Sequence, residues 1–496
     1  MKRIMAFMLV MMMVLGVTSG CNNSGGDTTS EGPVELLWYV FGASNQAGDM
    51  DKVLVKVNEI LNEKLNVSLN IQVIDNAAFE DKMTMIINSG ESYDMCWTSN
   101  WRNRFGPNVQ KGAFLEITDE MLKENAPELV AEYPEEYFDF GRVNGKLYAI
   151  VNQQAWTTGN AGANVQTAMA EKYNFDVNTP KTWEEFAQFF EQIAQNETGV
   201  YPVLPESVKN AYTANRGIES IATVGYINIE NPDYVVYPYP GSDYEKEERA
   251  FYRQWYDRGI IRNDIVAVTD DAIMSERNTN KYVAEMSANA TPEGAVTWSN
   301  RQGMEYSCVN IAGSEDYAYL PSGAGQGTMT AISINSKHPD KCLQVLNLVN
   351  TDEELFNLLV YGIEGEHYTK NADGTVKLIE GAKYNMSQLA WMFGNAFNAY
   401  PLEGVDPSYN EKQRETNENA ERSPIIGFVF DQEPVANEIS QITSVEAEFK
   451  NSIYMDNYEQ RYEEYLTKMK AAGMDKVIAE AQRQLDAWCE ANGIEK

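Results

Sequence analysis

The segments VELLWYV (34–40), VSLNIQV (67–73) and DMCW (94–97) decide the fold class of this chain. The first and third are short, mostly apolar runs typical of buried strands, and the second alternates apolar and polar residues. Two stretches with helical spacing of apolar residues separate them, one from Met50 to Leu61 and one from Phe79 to Ile87. The order strand, helix, strand, helix, strand predicts an α/β lobe with a largely parallel sheet.

Further along the chain, local signals predict the start and end of other elements. Asn144-Gly145 is a tight turn leading into a strand. Thr182–Glu185 and Thr351–Glu354 have the pattern of capping boxes that begin helices. Residues 368–379 predict a hairpin, and from about residue 444 we expect mostly helix to the end of the chain.

The N-terminal residues predict export and a lipid anchor. Lys2 and Arg3 precede the apolar run Ile4–Val17, which is followed by small residues and then Cys21. This arrangement resembles the bacterial lipobox, so we expect residues 1–20 to be a lipoprotein signal peptide and Cys21 to be acylated, with palmitate among the acyl groups. Simple secretion with cleavage after Gly20 is the alternative.

The rest of the chain fits a tethered, water-soluble body. Residues 21–33 lack large apolar side chains and predict a flexible tether. No later segment has the eighteen or so consecutive apolar residues of a membrane span. We therefore expect an extracytoplasmic protein, held at the outer face of the cell membrane through its N-terminal lipid alone.

Charge and motifs exclude several classes of function. The net charge of −34, from 39 basic and 73 acidic residues, repels phosphate backbones and makes nucleic acid an unsuitable partner. With two histidines and no HExxH or GxSxG motif, we expect no metal, no cofactor and no catalysis. Carboxylate pairs suited to a glycosidase are too frequent in this composition to argue for or against that activity.

Several motifs, in order along the chain, resemble those of one protein family. Ser92–Trp97, Gly112–Ile117 and Asn144–Ile150 are similar to three successive landmarks of sugar-type extracellular solute-binding proteins of ABC importers. Thr179–Phe186 resembles their "TPxTWeEf" helix start, and Thr328–Leu359 resembles their return strand and helix.

The last part of the chain narrows the resemblance. Tyr361–Tyr368 is similar to the signature of a branch of this family found in Gram-positive anaerobes and bacilli. In that branch the protein ends in a C-terminal region of unknown function, and Gly427–Asp431 resembles part of it.

The resemblance implies a type II periplasmic-binding-protein fold, with two discontinuous α/β lobes that close on a ligand. It implies lobe 1 at 34–150 and 325–385, and lobe 2 at 151–324 and 386–496 with a helical C-terminal region. It further implies a monomer that captures a carbohydrate, with an oligosaccharide as the favoured ligand, and delivers it to the subunits of an ABC permease. A binding protein for peptides or another small solute is the main alternative, and a surface glycosidase or adhesin is a further one.

Ligand contacts are expected in loops beyond the carboxyl ends of the strands, where sugar sites combine flat aromatic side chains with planar polar groups. Three loops meet this requirement, at 41–49, 97–102 and 152–156. The resemblance adds positions from the second lobe and the C-terminal segment. The resulting set of candidate ligand-binding residues is Phe41, Asn45, Gln46, Trp97, Asn100, Trp101, Arg102, Gln153, Trp156, Glu206, Trp298, Trp391 and Asn395.

Overall fold

A computed structural model describes residues 32–43, 46–213, 217–314 and 319–496. The predicted signal peptide, Cys21, most of the predicted tether and Asn45 lie outside the described residues. Within them, none of the helices is long and apolar enough to cross a membrane.

The described residues form short strands interspersed with helices along the whole chain. The strands are β1 Val34–Gly42, β2 Val67–Asp75, β3 Met95–Thr98, β4 Arg142–Val143, β5 Lys146–Leu147, β6 Ala149–Val151, β7 Gly162–Gln166, β8 Tyr201–Val203, β9 Ile218–Ser220, β10 Gly225–Asn228, β11 Tyr237–Pro238, β12 Tyr282–Ser287, β13 Tyr306–Asn310, β14 Tyr319–Leu320, β15 Met329–Ile332, β16 Tyr368–Lys370, β17 Val376–Leu378 and β18 Glu421–Arg422.

The α-helices are α1 Met50–Leu65, α2 Phe79–Ser89, α3 Phe105–Gln110, α4 Asp119–Asn125, α5 Pro127–Glu132, α6 Thr167–Lys172, α7 Trp183–Asn196, α8 Pro205–Thr213, α9 Asp243–Asp257, α10 Asp270–Arg277, α11 Pro292–Gln302, α12 Pro339–Thr351, α13 Glu353–Tyr361, α14 Tyr409–Asn419, α15 Ala436–Phe449, α16 Tyr458–Ala471 and α17 Met474–Ala491. Short 3-10 helices occur at Glu135–Gly141, Gly325–Gly327, Ser387–Met392, Ala396–Asn398, Glu433–Val435 and Ser452–Tyr454.

The predicted N-terminal α/β unit is present. Its five-stranded sheet has the order β2-β1-β3-β15-β6, in which β1 is parallel to both β2 and β3, whereas β15 is antiparallel to β3 and β6. β15 therefore runs against the first three strands, whereas β6, at the edge of the sheet, runs in the same direction as they do. Because the carboxyl ends of β1 and β3 meet at one edge, the loops that follow them lie side by side.

Two more sheets build the middle of the chain. A four-stranded mixed sheet has the order β13-β7-β12-β8, with β12 parallel to β8 and antiparallel to β7. A small three-stranded antiparallel sheet follows the order β11-β10-β9. Together with the first sheet they give the α/β architecture of the predicted binding-protein fold.

Buried side chains divide into three cores. The first core combines residues 36–156 with residues 320–420, and the second core spans 161–311. The third core joins the small sheet, from Ile221 to Val236, to the C-terminal region (424–496), which packs helices α15, α16 and α17 against it.

The packing of residues 386–420 differs from the predicted division into lobes. The prediction placed them in lobe 2, but Met386, Met392 and Phe393 are fully buried in the first core. The ring of Phe393 meets that of Trp38 edge to face at 5.9 Å. The predicted boundary near residue 385 came from the family resemblance, and the last buried residue of the first core is Ala420, well beyond that boundary.

Of the two predicted capping boxes, one is confirmed and the other is wrong. At α7, the Thr182 hydroxyl accepts a hydrogen bond from the Glu185 backbone N–H at 3.2 Å, and Glu185 accepts from the Thr182 N–H at 2.8 Å, which confirms that capping box. At α13 the predicted box is wrong, because Thr351 still belongs to α12. Asp352 caps α13 instead, accepting from the Leu355 N–H at 3.0 Å.

The four cysteines in the described residues are free thiols. Cys96 and Cys342 are fully buried, and burial raises the pKa of each to about 12. Both thiols therefore stay protonated and act as small apolar side chains.

Candidate functional site

Four aromatic side chains meet at the carboxyl edge of the first sheet. Phe41 is the last residue but one of β1, Trp97 lies in β3, Trp101 is in the loop after β3, and Trp391 comes from the segment after β17. Ring centroids are 4.6 Å apart for Phe41 and Trp97, 5.2 Å for Trp97 and Trp101, and 5.7 Å for Phe41 and Trp391. We call these four residues the aromatic cluster.

Exposure separates the members of the aromatic cluster. Trp97 is fully buried and Phe41 is 4% exposed, Trp391 is partly buried, and Trp101 is 49% exposed. An indole that is half in water and braced from behind by three rings is a flat apolar surface ready for a ligand. Within the aromatic cluster, the Trp101 ring is therefore the one open to a ligand, and the rings of Trp97 and Phe41 pack behind it.

Hydrogen bonds hold the two central indoles in fixed positions. The Trp101 ring N–H donates to the carbonyl of Gly327 at 2.9 Å, and the Trp97 ring N–H donates to the hydroxyl of Thr328 at 2.8 Å. Both acceptors lie in the segment that joins β14 to β15. The aromatic cluster is therefore tied to a segment by which the chain returns to the first core.

Thr328 joins three parts of the chain. Besides accepting from Trp97, its hydroxyl accepts from the Asn152 side-chain amide at 3.2 Å and donates to the Trp391 carbonyl at 2.9 Å. The Asn152 amide also donates to the carbonyl of Met392 at 2.8 Å. Because Thr328 is fully buried, this junction lies under the aromatic cluster and fixes its geometry.

Arg102 borders the exposed indole. Its guanidinium lies 5.2 Å from the ring centroid of Trp101 and 5.7 Å from that of Phe41. It also donates to the backbone carbonyl of Asn76 at 3.0 Å and to the Asn76 side chain. A guanidinium has five N–H donors, so Arg102 retains donors for a ligand oxygen beside the indole face.

A groove of about 440 Å3 begins next to the aromatic cluster. Asn100 and Arg104 line it from the loop after β3, and Gln326 lines it from the segment before β15. The other side is lined by Ser220–Thr223, Phe428–Phe430 and Gln432. The groove therefore lies between the first and third cores, and the C-terminal region forms part of its wall.

Gln326 offers the groove an unused donor. Its side chain is 7% exposed, and its amide nitrogen has no hydrogen-bond partner among the described residues. A buried amide N–H left unpaired costs free energy, so this donor suits a ligand oxygen. Sequence reasoning missed Gln326 and Arg104, since only the folded chain brings the segment before β15 beside the loop after β3.

Three other candidate residues lie inside the first core. Gln153 is 3% exposed, Trp156 is 5% exposed, and Asn395 is fully buried. The Trp156 ring meets Tyr137 edge to face at 4.8 Å, and the Asn395 side chain accepts from the Phe397 N–H at 3.1 Å. Their contacts in this structure are packing and helix-capping contacts, so ligand contact by these three stays a prediction.

Three further candidates, Gln46, Trp298 and Glu206, lie outside the aromatic cluster. The Gln46 side chain accepts from the Ala43 N–H at 3.0 Å, in the loop after β1. Trp298 lies in α11, and the guanidinium of Arg277 is 4.4 Å from the centroid of the Trp298 ring. Glu206, at the start of α8, lines a separate cavity, 3.8 Å from the Lys450 ammonium.

One group of side chains has the spacing of metal ligands. Asp49, Glu366 and His367 bring ligand atoms within 4.8 Å of one another. The Lys52 ammonium already lies 2.7 Å from Glu366 and 3.4 Å from Asp49. It supplies the positive charge there, on the outer side of α1.

A family model described as "Bacterial extracellular solute-binding protein" matches residues 57–358, which include β3, the aromatic residues Trp97 and Trp101, and Thr328. The chain belongs to this family. Members are extracellular, which agrees with the predicted extracytoplasmic location. A second model, "Domain of unknown function (DUF3502)", matches residues 424–490, within the C-terminal region.

Individual relatives agree with the family. A carbohydrate ABC transporter substrate-binding protein of Streptococcus pneumoniae serotype 4 is 26% identical over 494 residues, or 95% of each chain.

Solved structures show the same fold. The N-glycan transport solute-binding protein NgtS of Streptococcus pneumoniae superposes with a TM-score of 0.77 at 24% identity, over 92% of this chain and 99% of that one. An HMO-binding solute-binding protein of Bifidobacterium longum infantis superposes with a TM-score of 0.58 at 14% identity, over 92% and 99%. These likenesses confirm the predicted two-lobe binding-protein fold.

Proposed function

We propose that this protein is the solute-binding component of an ABC transporter and that it captures a carbohydrate, best an oligosaccharide, beside Trp101. The half-exposed indole of Trp101, braced by three rings, carries this proposal. The carbohydrate class of the ligand is supported by the names of the relatives, one a carbohydrate substrate-binding protein and another crystallised with Man5GlcNAc.

The chemistry of the site suits a sugar ring. A pyranose has an apolar C–H face that packs on an indole, and hydroxyls at its rim that need planar donors and acceptors. Trp101 supplies the face, and Arg102 and Gln326 supply donors close by. Because the ligand binds more tightly when the groove is closed around it, binding shifts the protein toward the closed form, which the permease recognises.

Titration of the purified protein with a glycan panel tests this proposal. We expect calorimetry to show binding of at least one oligosaccharide, and the melting temperature to rise with its concentration because the ligand binds only the folded form. Short peptides serve as the comparison panel. If peptides raise the melting temperature and no mono-, di- or oligosaccharide does, the carbohydrate assignment is wrong.

The proposal includes no catalytic step. We expect the glycan to have the same covalent structure after its release as before binding, and mass spectrometry of the released glycan checks this. Hydrolysis that persists through repurification and is abolished by a single Asp or Glu substitution would instead identify a glycosidase.

We further propose that the protein is a monomer tethered to the membrane by a lipid on Cys21. The apolar run Ile4–Val17 and the small residues before Cys21 support the anchor. Cys21→Ser is expected to release the protein into the medium and to abolish labelling by radioactive palmitate. A wild-type protein that never takes up the label would contradict the anchor, and light scattering of the purified protein checks the monomer.

A further inference from the structure

A second cavity, of about 410 Å3, lies between the second and third cores. Five tyrosines line it: Tyr226, Tyr239 and Tyr252 from the middle of the chain, and Tyr454 and Tyr465 from the C-terminal region. Its volume lies within the range of small-molecule sites in proteins, about 300–1,000 Å3. The cavity therefore has the size and the aromatic walls of a binding site.

The polar groups of this cavity match a hydroxyl-bearing ligand. The Tyr252 hydroxyl is buried and has no hydrogen-bond partner among the described residues. Burial raises the pKa of Tyr252, so its hydroxyl stays protonated and acts as a donor. Glu248, which is 5% exposed and lies near Tyr252, accepts a hydrogen bond from the Tyr239 hydroxyl at 2.5 Å. A carboxylate accepts several hydrogen bonds, so Glu248 keeps acceptor capacity beside an unused donor.

Two of the three cations that line the cavity are paired with carboxylates of its wall. The Lys450 ammonium lies 2.6 Å from Asp270 and 3.8 Å from Glu206. The Arg249 guanidinium lies 3.9 Å from Glu245. Lys209 is the third cation, and five carboxylates outnumber the three cations, so the wall disfavours an acidic ligand. The Tyr252 hydroxyl and Glu248 suit a neutral, hydroxyl-rich one.

The cavity is a neighbour of the groove beside the aromatic cluster. Thr223, in the loop between β9 and β10, lines both spaces. Asn100, the neighbour of Trp101 in the chain, lines the groove together with Thr223, so a ligand that extends from Trp101 into the groove can reach Thr223 and the tyrosines. Glu206, predicted as a ligand contact, lies at this far end.

We propose that the tyrosine-lined cavity is a second subsite of the ligand cleft, which holds a further sugar ring of an oligosaccharide whose first ring stacks on Trp101. This inference rests on the proposed function and names the ligand class more closely, as an oligosaccharide long or branched enough to occupy both places. It also assigns a role to the C-terminal region, which supplies Tyr454 and Tyr465 to the subsite.

Calorimetry with Man1GlcNAc and Man5GlcNAc as the short and long probes tests the second subsite. Tyr252→Phe removes only the unpaired hydroxyl, and we expect it to weaken Man5GlcNAc binding by about threefold to tenfold. Man1GlcNAc binding is expected to stay the same, and the melting temperature not to fall. Tyr458→Phe, which removes an exposed hydroxyl of α16 outside the cavity, is the matched control and leaves both affinities unchanged.

A bulky residue at the junction gives a second test. Thr223→Trp is expected to close the passage and to reduce the affinity for Man5GlcNAc to that for Man1GlcNAc. If Tyr252→Phe changes the two affinities equally, or changes neither, the second subsite does not exist while the proposed function stands. If the wild-type protein binds no glycan of any length, the proposed function itself is wrong.

Discussion

Trp97 and Trp101 are four residues apart and share one aromatic cluster, but water reaches only Trp101. Trp101→Ala removes the apolar face on which a sugar ring packs, worth roughly 1.5–3 kcal/mol. We therefore expect glycan affinity to be weaker by a factor of about ten to more than about a hundred. Calorimetry measures the affinity, and the melting temperature of the free protein should stay close to that of the wild type because Trp101 fills no core.

Trp183 provides the matched control for that substitution. Its ring packs edge to face on Phe251 at 5.0 Å and contacts Trp255 at 5.8 Å, remote from the aromatic cluster. Because the partly buried Trp183 ring packs against the second core, Trp183→Ala is expected to lower the melting temperature while glycan affinity is retained. A lowered melting temperature with intact binding in Trp101→Ala would show that this indole is a packing residue too.

Thr328 and Thr330 are both fully buried in or beside β15, but of their two hydroxyls only that of Thr328 has a hydrogen-bond partner among the described residues. Thr328→Val leaves the Trp97 ring N–H and the Trp391 carbonyl without partners, at about 1–3 kcal/mol for each buried group. Thr330→Val removes a hydroxyl that has no partner among the described residues, so it should be neutral or stabilising. Equal melting temperatures for the two variants would contradict the role of Thr328 as a junction.

At the scale of elements, periodicity and capping signals predicted most of the N-terminal lobe. The predicted strand at 67–73 is observed as Val67–Asp75, and the helix predicted from Phe79 ends at Ser89, where Gly90 has φ of 70°. The box at Thr351 failed because the sequence signal is local. A threonine that caps one helix has the same neighbours in sequence as one that ends the helix before it, and only packing decides between them.

The confirmed cap of α7 gives a prediction at this scale. Thr182→Ala removes the side-chain acceptor at the helix N-terminus, and we expect it to cost about 1 kcal/mol of stability at neutral pH. Thr443→Ala, in the exposed middle of α15, is the control, and it should cost nothing because alanine favours helix. Comparison of the two melting temperatures checks the cap.

The same cap depends on pH. Hydrogen bonds from the backbone N–H and hydroxyl of Thr182 lower the pKa of Glu185. A pKa lowered by folding means that the stabilisation is present above the ordinary carboxyl pKa, about 4.3, and is lost as the pH falls through the lower folded-state value. The difference in melting temperature between wild type and Thr182→Ala should therefore shrink below about pH 4.

At the scale of the whole molecule, sequence order did not reveal which distant segments share a site. Trp97 and Trp101 were correctly placed at a strand's carboxyl end, since that depends only on the regular α/β pattern from β1 to β3. Gln326 and Phe428 line the groove only because the first and third cores, built from interleaved parts of the chain, meet there. Long-range packing of this kind leaves no periodic signal near the residues themselves.

The net charge of −34 gives a whole-molecule prediction that distinguishes the ligand classes. A surface of that charge attracts cations over the Debye length, about 10 Å at 0.1 M salt and about 3 Å at 1 M salt, but exerts no net attraction on a neutral glycan. We expect glycan affinity to change less than about twofold between about 0.1 M and about 1 M NaCl, with a short lysine peptide as the control for attraction to the surface. The peptide's weak binding should be lost over that range. A glycan affinity that fell with salt as steeply as the peptide's would show that charge, and not the indole of Trp101, supplies the binding free energy.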